Sequence, residues 1–188
     1  MAEKPEPAVS EPVRVLCLRL RGFRSYGTEA REIALDASLA VVKGDNSQGK
    51  TATAEALEFL LTGTSSRRDL FGGAKAEYDR MLANVHLPEG DTDVWVEADI
   101  RCADGVIRTV RRVLTADYSP TSDCASTLTV DGYKVENLAV LGITLGDPPL
   151  AAPVLLQYNL RYVLIEPRGV VEVGLLRERL CWLLIMPW

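Results

Sequence analysis

The chain has 188 residues, of which 47% are hydrophobic and 25% are charged, and its formal net charge is −5 at pH 7. This length and composition fit one folded globular domain and exclude a peptide or a disordered linker. The negative net charge removes bulk electrostatics as an argument for nucleic-acid binding. Only residues 1–11, rich in Pro, Glu and Ala, have the composition of a disordered tail.

The cysteines and the apolar runs indicate the compartment. The four cysteines are widely separated and form no C-x-x-C pair: Cys17, Cys102, Cys124 and Cys181. This spacing favours reduced thiols over a disulfide or a zinc site. No apolar run reaches the 18 residues of a membrane span, and the start of the chain is unlike a secretory signal. We therefore expect a cytoplasmic protein with no membrane partner.

Three short strands are predicted before residue 43. Residues 13–20 alternate apolar and polar residues and are followed by Gly22, which indicates a strand that ends in a turn. Residues 33–35 are expected to pair with that strand. Residues 39–42, Leu-Ala-Val-Val, have the character of a short buried parallel strand.

Residues 44–51 read GDNSQGKT, a complete G-x-x-x-x-G-K-[ST] phosphate-binding loop. Glycines let successive backbone N–H groups surround a polyphosphate, while Lys50 adds a positive charge and Thr51 a hydroxyl for Mg²⁺. A helix is predicted over residues 51–61, with a stop at Gly63. Strand, glycine-rich turn and helix is the order that the motif requires, so we expect a nucleoside triphosphate with magnesium as ligand.

The middle of the chain changes to strand periodicity. Residues 62–73 are predicted to be a polar loop bordering the nucleotide and containing Arg67 and Arg68. Two hairpins follow, one over residues 94–114 and a shorter one over residues 128–135, each with an Asp-Gly turn. An antiparallel meander at about residues 94–135 is thus predicted after the phosphate-loop helix.

The last part of the chain is apolar. Residues 154–156 are predicted to be a buried strand ending at Gln157, and residues 173–184 carry leucines at roughly helical spacing. A leucine-dense helix with no residues after 188 to cover it favours a partner or a chain cut within a domain.

The order of these features resembles a known family. The segment RLRGFRSYG at residues 19–27, the loop ending in GDNSQGKT, and Glu55-Ala56-Leu57 together resemble the N-terminal half of an ABC-type ATPase head of the SMC and Rad/SbcC kind, which RecF and RecN share. The resemblance implies an AAA-type P-loop domain. The family's loop reads G-x-N-G-x-G-K-[ST]; this chain keeps Asn46 but has Ser47 where glycine is usual.

The resemblance implies an α/β P-loop NTPase fold of the ABC/SMC-head type, with parallel core strands and an inserted antiparallel β-meander. Residues 12–188 would form an incomplete N-terminal lobe, truncated at the C-terminus, with a glutamine loop near residue 157. ATP and Mg²⁺ would be its cofactors. Lys50 and Gln157 would be catalytic, and Thr51 and Gln157 would complete the magnesium shell. The residues implied to contact the nucleotide are Arg24, Ser25, Asn46, Ser47, Gln48, Gly49, Lys50 and Thr51.

Parts of the family pattern are missing. The sequence has no S-G-G signature, no Walker B Asp-Glu pair, no heptad coiled coil and no C-x-x-C hook. Glu166, in the segment that most resembles a Walker B motif, is interpreted as structural.

The predicted function is an ATP-binding head acting in DNA double-strand-break repair or chromosome maintenance. It would hydrolyse ATP only when completed by a C-terminal lobe and dimerised with a second head. DNA, a nuclease subunit and the nucleoid are partners by resemblance alone.

Several alternatives stay open at this point. The same loop serves small P-loop kinases and GTPases, although no N-K-x-D guanine motif is present. An ATP-switched dimerisation module without catalysis is another. Arg24 and Gln157 have bland alternatives, as a solvated turn arginine and an ordinary strand-end polar residue. Six arginines are candidates either for DNA phosphate contacts or for pairing with nearby carboxylates: Arg19, Arg21, Arg24, Arg108, Arg111 and Arg112.

Overall fold

The computed structural model describes residues 13–37, 39–45, 49–70, 80–146, 154–155 and 183–184. Eight strands lie in this part of the chain: β1 Arg14–Arg21, β2 Arg31–Ala34, β3 Trp95–Arg101, β4 Ile107–Ala116, β5 Ala125–Val130, β6 Tyr133–Val135, β7 Val154–Leu155 and β8 Leu183–Leu184. The helices are α1 Lys50–Thr62, α2 Ser66–Leu70 and a 3₁₀ helix at Leu138–Leu141.

The first six strands form one antiparallel sheet in the order β2-β1-β3-β4-β5-β6. The predicted pairing of residues 33–35 with the first strand is confirmed, since Leu18 lies opposite Ile33. Both predicted hairpins are confirmed as β3–β4 and β5–β6. β7 and β8 pair in parallel.

Helix α1 covers one face of this sheet, where it contacts β3 and β4. Its bounds confirm the predicted helix, and Gly63 ends it in the left-handed conformation (φ 78°) with its N–H bonded to the Phe59 carbonyl. The helix is buried throughout residues 52–61. Because the strands alternate faces, Val96, Ala98 and Ile100 of β3 point into the same core, as their spacing predicts.

The predicted buried strand over residues 39–42 is not found. No strand is assigned over residues 39–45, and Leu39 and Val41 are 76% and 78% exposed. A strand needs a neighbour to satisfy its backbone N–H and C=O groups, and none of the described residues pairs with this segment. The apolar run is therefore present without the packing that the pattern predicted.

The structure differs at two other predicted segments. Residues 66–70, predicted as loop, form the short helix α2. Leu183 and Leu184, predicted as helical, lie in strand β8, while the rest of residues 173–184 falls outside the described residues. The disordered tail at residues 1–11 and Glu166 also lie outside them.

The described cysteines, Cys17, Cys102 and Cys124, are free thiols; Cys181 lies outside the described residues. In the portion of the chain with described coordinates, no helix has both the length and the apolarity required to cross a membrane.

Candidate functional site

Lys50 joins the two ends of the phosphate-binding loop. It is the first residue of α1, and its Nζ donates to the carbonyl oxygens of Gly44 (2.5 Å) and Asp45 (2.7 Å) at the start of the loop. Gly49, just before it, has φ 84°, a conformation that costs residues with a side chain about 1–2 kcal/mol. The loop's last glycine thus has the left-handed backbone that the motif requires, and the lysine lies at the start of the helix. Asn46, Ser47 and Gln48 lie outside the described residues.

The turn after β1 lies against this loop. A methyl group placed on Gly49 would be 3.5 Å from Ser25 Cβ and 3.7 Å from the ring atoms Cε2 and Cζ of Tyr26. The Tyr26 hydroxyl lies 2.7 Å from Thr53 Oγ1 in the first turn of α1. Ser25 is thus beside the phosphate loop, while its contact with the nucleotide stays a prediction.

Arg24 points to a buried carboxylate. Its backbone is left-handed (φ 53°), its Nη1 donates to the Met81 carbonyl (2.8 Å), and its Nε lies 2.8 Å from Glu55 Oε2. Glu55 is 1% exposed and also lies 3.4 Å from Nη1 of Arg67. A buried carboxylate needs such charge partners, because an unpaired buried charge is very costly. Arg24 is therefore engaged, and its interpretation as a merely solvated turn arginine is wrong.

The segment at residues 80–84 fixes this turn from the other side. Arg24 N–H donates to the Leu82 carbonyl (2.8 Å), and Asn84 Nδ2 donates to the Tyr26 carbonyl (3.0 Å). The Asp117 carboxylate accepts from the N–H groups of Leu82 and Ala83. The turn is thereby tied to the connection after β4, a long-range contact that spacing along the chain does not reveal.

Arg112 caps the other end of α1. It lies on the core face of β4 and is only 8% exposed. Its Nε donates to the Leu60 carbonyl (2.9 Å), its Nη2 to the Leu61 carbonyl (3.4 Å) and its Nη1 to Ser126 Oγ (3.1 Å). A cation at a helix C-terminus stabilises the unpaired carbonyls and the helix dipole. Burial lowers the pKa of Arg112 to about 10, so it stays charged at neutral pH.

Helix α2 points its arginines in different directions. Arg67 contacts Glu55, as described above. Arg68 is 3% exposed, donates from Nη2 to the Ser119 carbonyl (2.8 Å) and stacks over the Tyr118 ring at 4.2 Å. Arg68 therefore packs into the protein beside the β4–β5 connection, and of the two only Arg67 shares a partner with the turn that borders the loop.

A row of alternating charges crosses the outer face of the sheet. Glu32, Arg19, Glu97 and Arg111 lie opposite one another on β2, β1, β3 and β4. Arg19 also lies 2.7 Å from Asp99 Oδ2, and this bond lowers the pKa of Asp99 to about 2. These contacts make the row a structural ion-pair network.

All six arginines considered for DNA contacts have partners. Arg19 and Arg111 belong to the row, Arg24 contacts Glu55, and Arg112 is buried. The remaining contacts are Arg21 with Asp91 (2.7 Å) and Asp93 (3.3 Å), and Arg108 with Asp131 (3.3 Å) and Asp104 (3.7 Å). Pairing with neighbouring carboxylates, the bland alternative, therefore describes the sheet arginines better than a free basic patch.

Thr51 is the predicted magnesium ligand that lies within the described residues. Thr51 is solvent-exposed in the first turn of α1, next to Lys50. In the described residues, no group of three or more His, Cys, Asp or Glu side chains is arranged for a metal. Mg²⁺ commonly keeps waters and binds through few protein ligands together with substrate phosphates, so an exposed hydroxyl beside a phosphate loop fits it. Gln157, the other predicted ligand, lies outside the described residues.

The contacts of four residues around the loop and its helix were not predicted from the sequence: Tyr26, Thr53, Glu55 and Arg112. Arg112 had a usable signal, since it alternates with Val110 and Leu114 on the core face of β4. Thr53 lies four residues after Gly49, one helical turn away, which is also a local signal. Tyr26 and Glu55 depend on contacts between distant segments.

The chain is similar to a known protein family and to two RecF proteins. The profile of the family described as AAA domain matches residues 17–128, more than half of the chain. RecF of Roseiflexus castenholzii (strain DSM 13941 / HLO8), a DNA replication and repair protein, is 30% identical over 160 residues, covering 83% of this chain and 35% of RecF. RecF of Rhizobium johnstonii (strain DSM 114642 / LMG 32736 / 3841) is 37% identical over 82 residues, covering 41% and 21%. The chain thus spans about a third or less of these relatives.

Solved structures share the fold. The Smc head bound to the C-winged helix domain of ScpA has a TM-score of 0.60 at 19% identity, covering 82% of this chain and 47% of that one. A structure from work on ATP-driven dimerization and DNA-stimulated activation of SMC ATPases has a TM-score of 0.58 at 20% identity, covering 88% and 98%. RecF with ATPrS has a TM-score of 0.54 at 17% identity, covering 82% and 35%.

Proposed function

Because this chain belongs to the AAA-domain family and has the P-loop fold of ABC/SMC-type ATPase heads, we propose that it binds ATP with Mg²⁺ at residues 44–51. The observation that supports this most is the arrangement of Gly49 and Lys50: a left-handed glycine, a lysine and the start of a buried helix, in the order that cradles phosphates. The similarity to RecF, which has been solved with ATP, favours the same nucleotide.

The proposed roles follow from residue chemistry. Lys50 exchanges its bonds to the loop carbonyls for the β- and γ-phosphates, and the loop amides through Lys50 surround them. Thr51 and Gln157 hold Mg²⁺, and Ser25 lies close enough to Gly49 to border the bound phosphates. Phosphoryl transfer depends mainly on positioning and charge neutralisation, which such groups supply.

Lys50→Ala tests the proposal. We expect the chain to bind a fluorescent ATP analogue with Mg²⁺, and Lys50→Ala to weaken this binding by at least tenfold, since a charge-assisted contact is worth about 1.5–3 kcal/mol. Lys43→Ala is the matched control, because Lys43 is exposed just before the loop. Equal affinity of Lys50→Ala and the unsubstituted chain, in equilibrium titrations, would refute the proposal.

We further propose that residues 12–188 are the N-terminal lobe of a head that a C-terminal lobe and a second head complete. The exposed apolar run at Leu39 and Val41 supports this, because a strand in that place requires neighbours. Alone, the chain should release phosphate at a negligible rate. Steady-state phosphate release at the rate of an intact head would overturn this proposal without affecting ATP binding.

For the whole protein, we propose a role in DNA repair or chromosome maintenance, with double-strand-break repair as the narrower form. The RecF relatives support the broader role. DNA contacts through the paired sheet arginines are not favoured, so neutralising Arg19 or Arg111 should alter stability more than DNA affinity. Filter binding of the longer protein to duplex DNA, with each variant, is the measurement.

A further inference from the structure

Tyr26 contacts the phosphate loop and its helix at the same time. Its ring atoms lie 3.7 Å from where a side chain on Gly49 would begin, and its hydroxyl lies 2.7 Å from Thr53 Oγ1. Thr53 is fully buried, and its hydroxyl donates to the Gly49 carbonyl (3.1 Å). Three groups thus form a chain that ends on the glycine of the loop.

The direction of the hydrogen bonds in this chain follows from counting protons. A threonine hydroxyl has one proton, and that of Thr53 is donated to Gly49. Thr53 Oγ1 therefore accepts from Tyr26, whose phenol is the donor. Hydrogen bonds in such a chain polarise and strengthen one another in a low-dielectric interior.

The Gly49 carbonyl matters because of the peptide to which it belongs. The carbonyl of Gly49 and the N–H of Lys50 lie in one planar trans peptide and point in opposite directions. The carbonyl faces along α1, where it accepts from both N–H (2.9 Å) and Oγ1 of Thr53. The Lys50 N–H must then point out of the N-terminal end of the helix, where its amides have no intrahelical acceptor.

Tyr26 itself is held from outside the loop. Its N–H donates to the Phe23 carbonyl (2.9 Å), and its carbonyl accepts from Asn84 Nδ2 (3.0 Å). Asn84 N–H in turn donates to the Gly22 carbonyl (2.7 Å). The position of the phenol is thus set by the β1 turn and residues 80–84, not by the loop that it contacts.

We propose that Tyr26 is a positioning residue of the phosphate loop: through the Thr53 hydroxyl it fixes the Gly49–Lys50 peptide, so that the Lys50 amide is oriented toward phosphate before the nucleotide arrives. The inference rests on the proposed ATP binding at this loop. It predicts that the phenol proton lowers the reorganisation that binding requires, and that Tyr26 and Thr53 act as one unit.

The test uses the full chain with two substitutions that keep shape. Tyr26→Phe removes the phenol, and Thr53→Val removes the hydroxyl that relays it; Thr53→Ser keeps a hydroxyl and is the matched control. We expect each of the first two to raise the Kd for a fluorescent ATP analogue about three- to tenfold, the effect of one hydrogen bond. The double variant should be no weaker than the worse single one, and Thr53→Ser should stay within about twofold.

A second measurement needs no nucleotide. Amide hydrogen exchange of Thr53, whose N–H donates to the Gly49 carbonyl, should accelerate about three- to tenfold in Tyr26→Phe. ATP affinities of Tyr26→Phe and Thr53→Val equal to that of the unsubstituted chain would overturn the inference, even if Lys50→Ala abolishes binding. Failure of the unsubstituted chain to bind ATP would instead refute the proposed function. In that case, an unchanged exchange rate of the Thr53 amide in Tyr26→Phe would by itself reject the hydrogen-bond chain from Tyr26 through Thr53 to Gly49.

Discussion

Upstream of the phosphate loop Leu39 and Val41 are 76% and 78% exposed, whereas downstream of it residues 52–61 of α1 are all buried. The two sides differ because a helix satisfies its backbone hydrogen bonds internally, and α1 packs against β3, β4 and β7. A strand needs neighbours for its backbone as well. The described part of the chain therefore stabilises the helix that presents Lys50, but it gives the apolar run before the loop no strand partner.

The largest effect predicted for a polar side chain is at the C-terminal end of α1. Arg112→Met should lower the free energy of unfolding by about 2–4 kcal/mol, because it leaves the buried Leu60 and Leu61 carbonyls without their donor. Arg111→Met is the matched control on the outer face, where we expect about 1 kcal/mol or less. Urea denaturation of both variants measures the two losses in the free energy of unfolding. Equal losses would mean that the buried cap stabilises the protein no more than the arginine on the outer face does.

Gly63→Ala is the next largest. A methyl group at Gly63 would lie 2.7 Å from Arg112 Nη1 in a left-handed backbone (φ 78°), and we expect a loss of about 2–3 kcal/mol. Gly105→Ala has the same φ of 78° with nothing within 4 Å, so it measures the backbone cost alone, about 1–2 kcal/mol. Thermal unfolding measures the stability loss of each variant, and the difference between the two losses is the cost of the contact with Arg112 Nη1. Equal losses would contradict the proposed crowding.

The ion pairs on the outer face of the sheet should make the stability of the protein depend on pH in the acid range. Because Arg19 lowers the pKa of Asp99 to about 2, the stabilisation that Asp99 provides is present above its unfolded-state pKa of about 4 and is lost as pH falls toward 2. We expect about 1–2 kcal/mol of acid-dependent stability to disappear in Asp99→Asn. Urea midpoints measured from pH 5 to pH 2 test this, and parallel curves for the two proteins would count against it.

The smallest effect is predicted upstream of the loop. Replacing both Leu39 and Val41 by Ser should change the free energy of unfolding by less than about 0.5 kcal/mol, because these side chains are already in water. Leu60→Ala, at a fully buried position of α1, should cost about 2–5 kcal/mol in the same urea titration. A large loss in the double variant would show that the upstream run is packed in solution and would remove the contrast between the two sides.

Local patterns predicted much of the fold. The alternation of residues 94–100, the Asp-Gly turns and Gly63 each specify backbone geometry from within a few residues, and the structure confirms the hairpins, α1 and its end. The prediction of a strand over residues 39–42 was wrong, because an apolar run indicates a preference for burial but does not supply a strand with which to pair. All the predicted nucleotide and magnesium contacts stay predictions: those of Arg24, Ser25, Asn46, Ser47, Gln48, Gly49, Lys50, Thr51 and Gln157.

The sequence by itself determined that a phosphate loop opens a helix and that an antiparallel meander follows, since these depend on glycine conformations and on strand and helix periods. Only the tertiary structure decided that Arg112 is buried and caps α1, whereas Arg111 lies on the outer face of the sheet. It also decided that Glu55 is buried between two arginines and that Tyr26 lies against Gly49. Each of these joins segments far apart in the chain, and the energy of such a contact depends on burial and geometry that no local spacing contains.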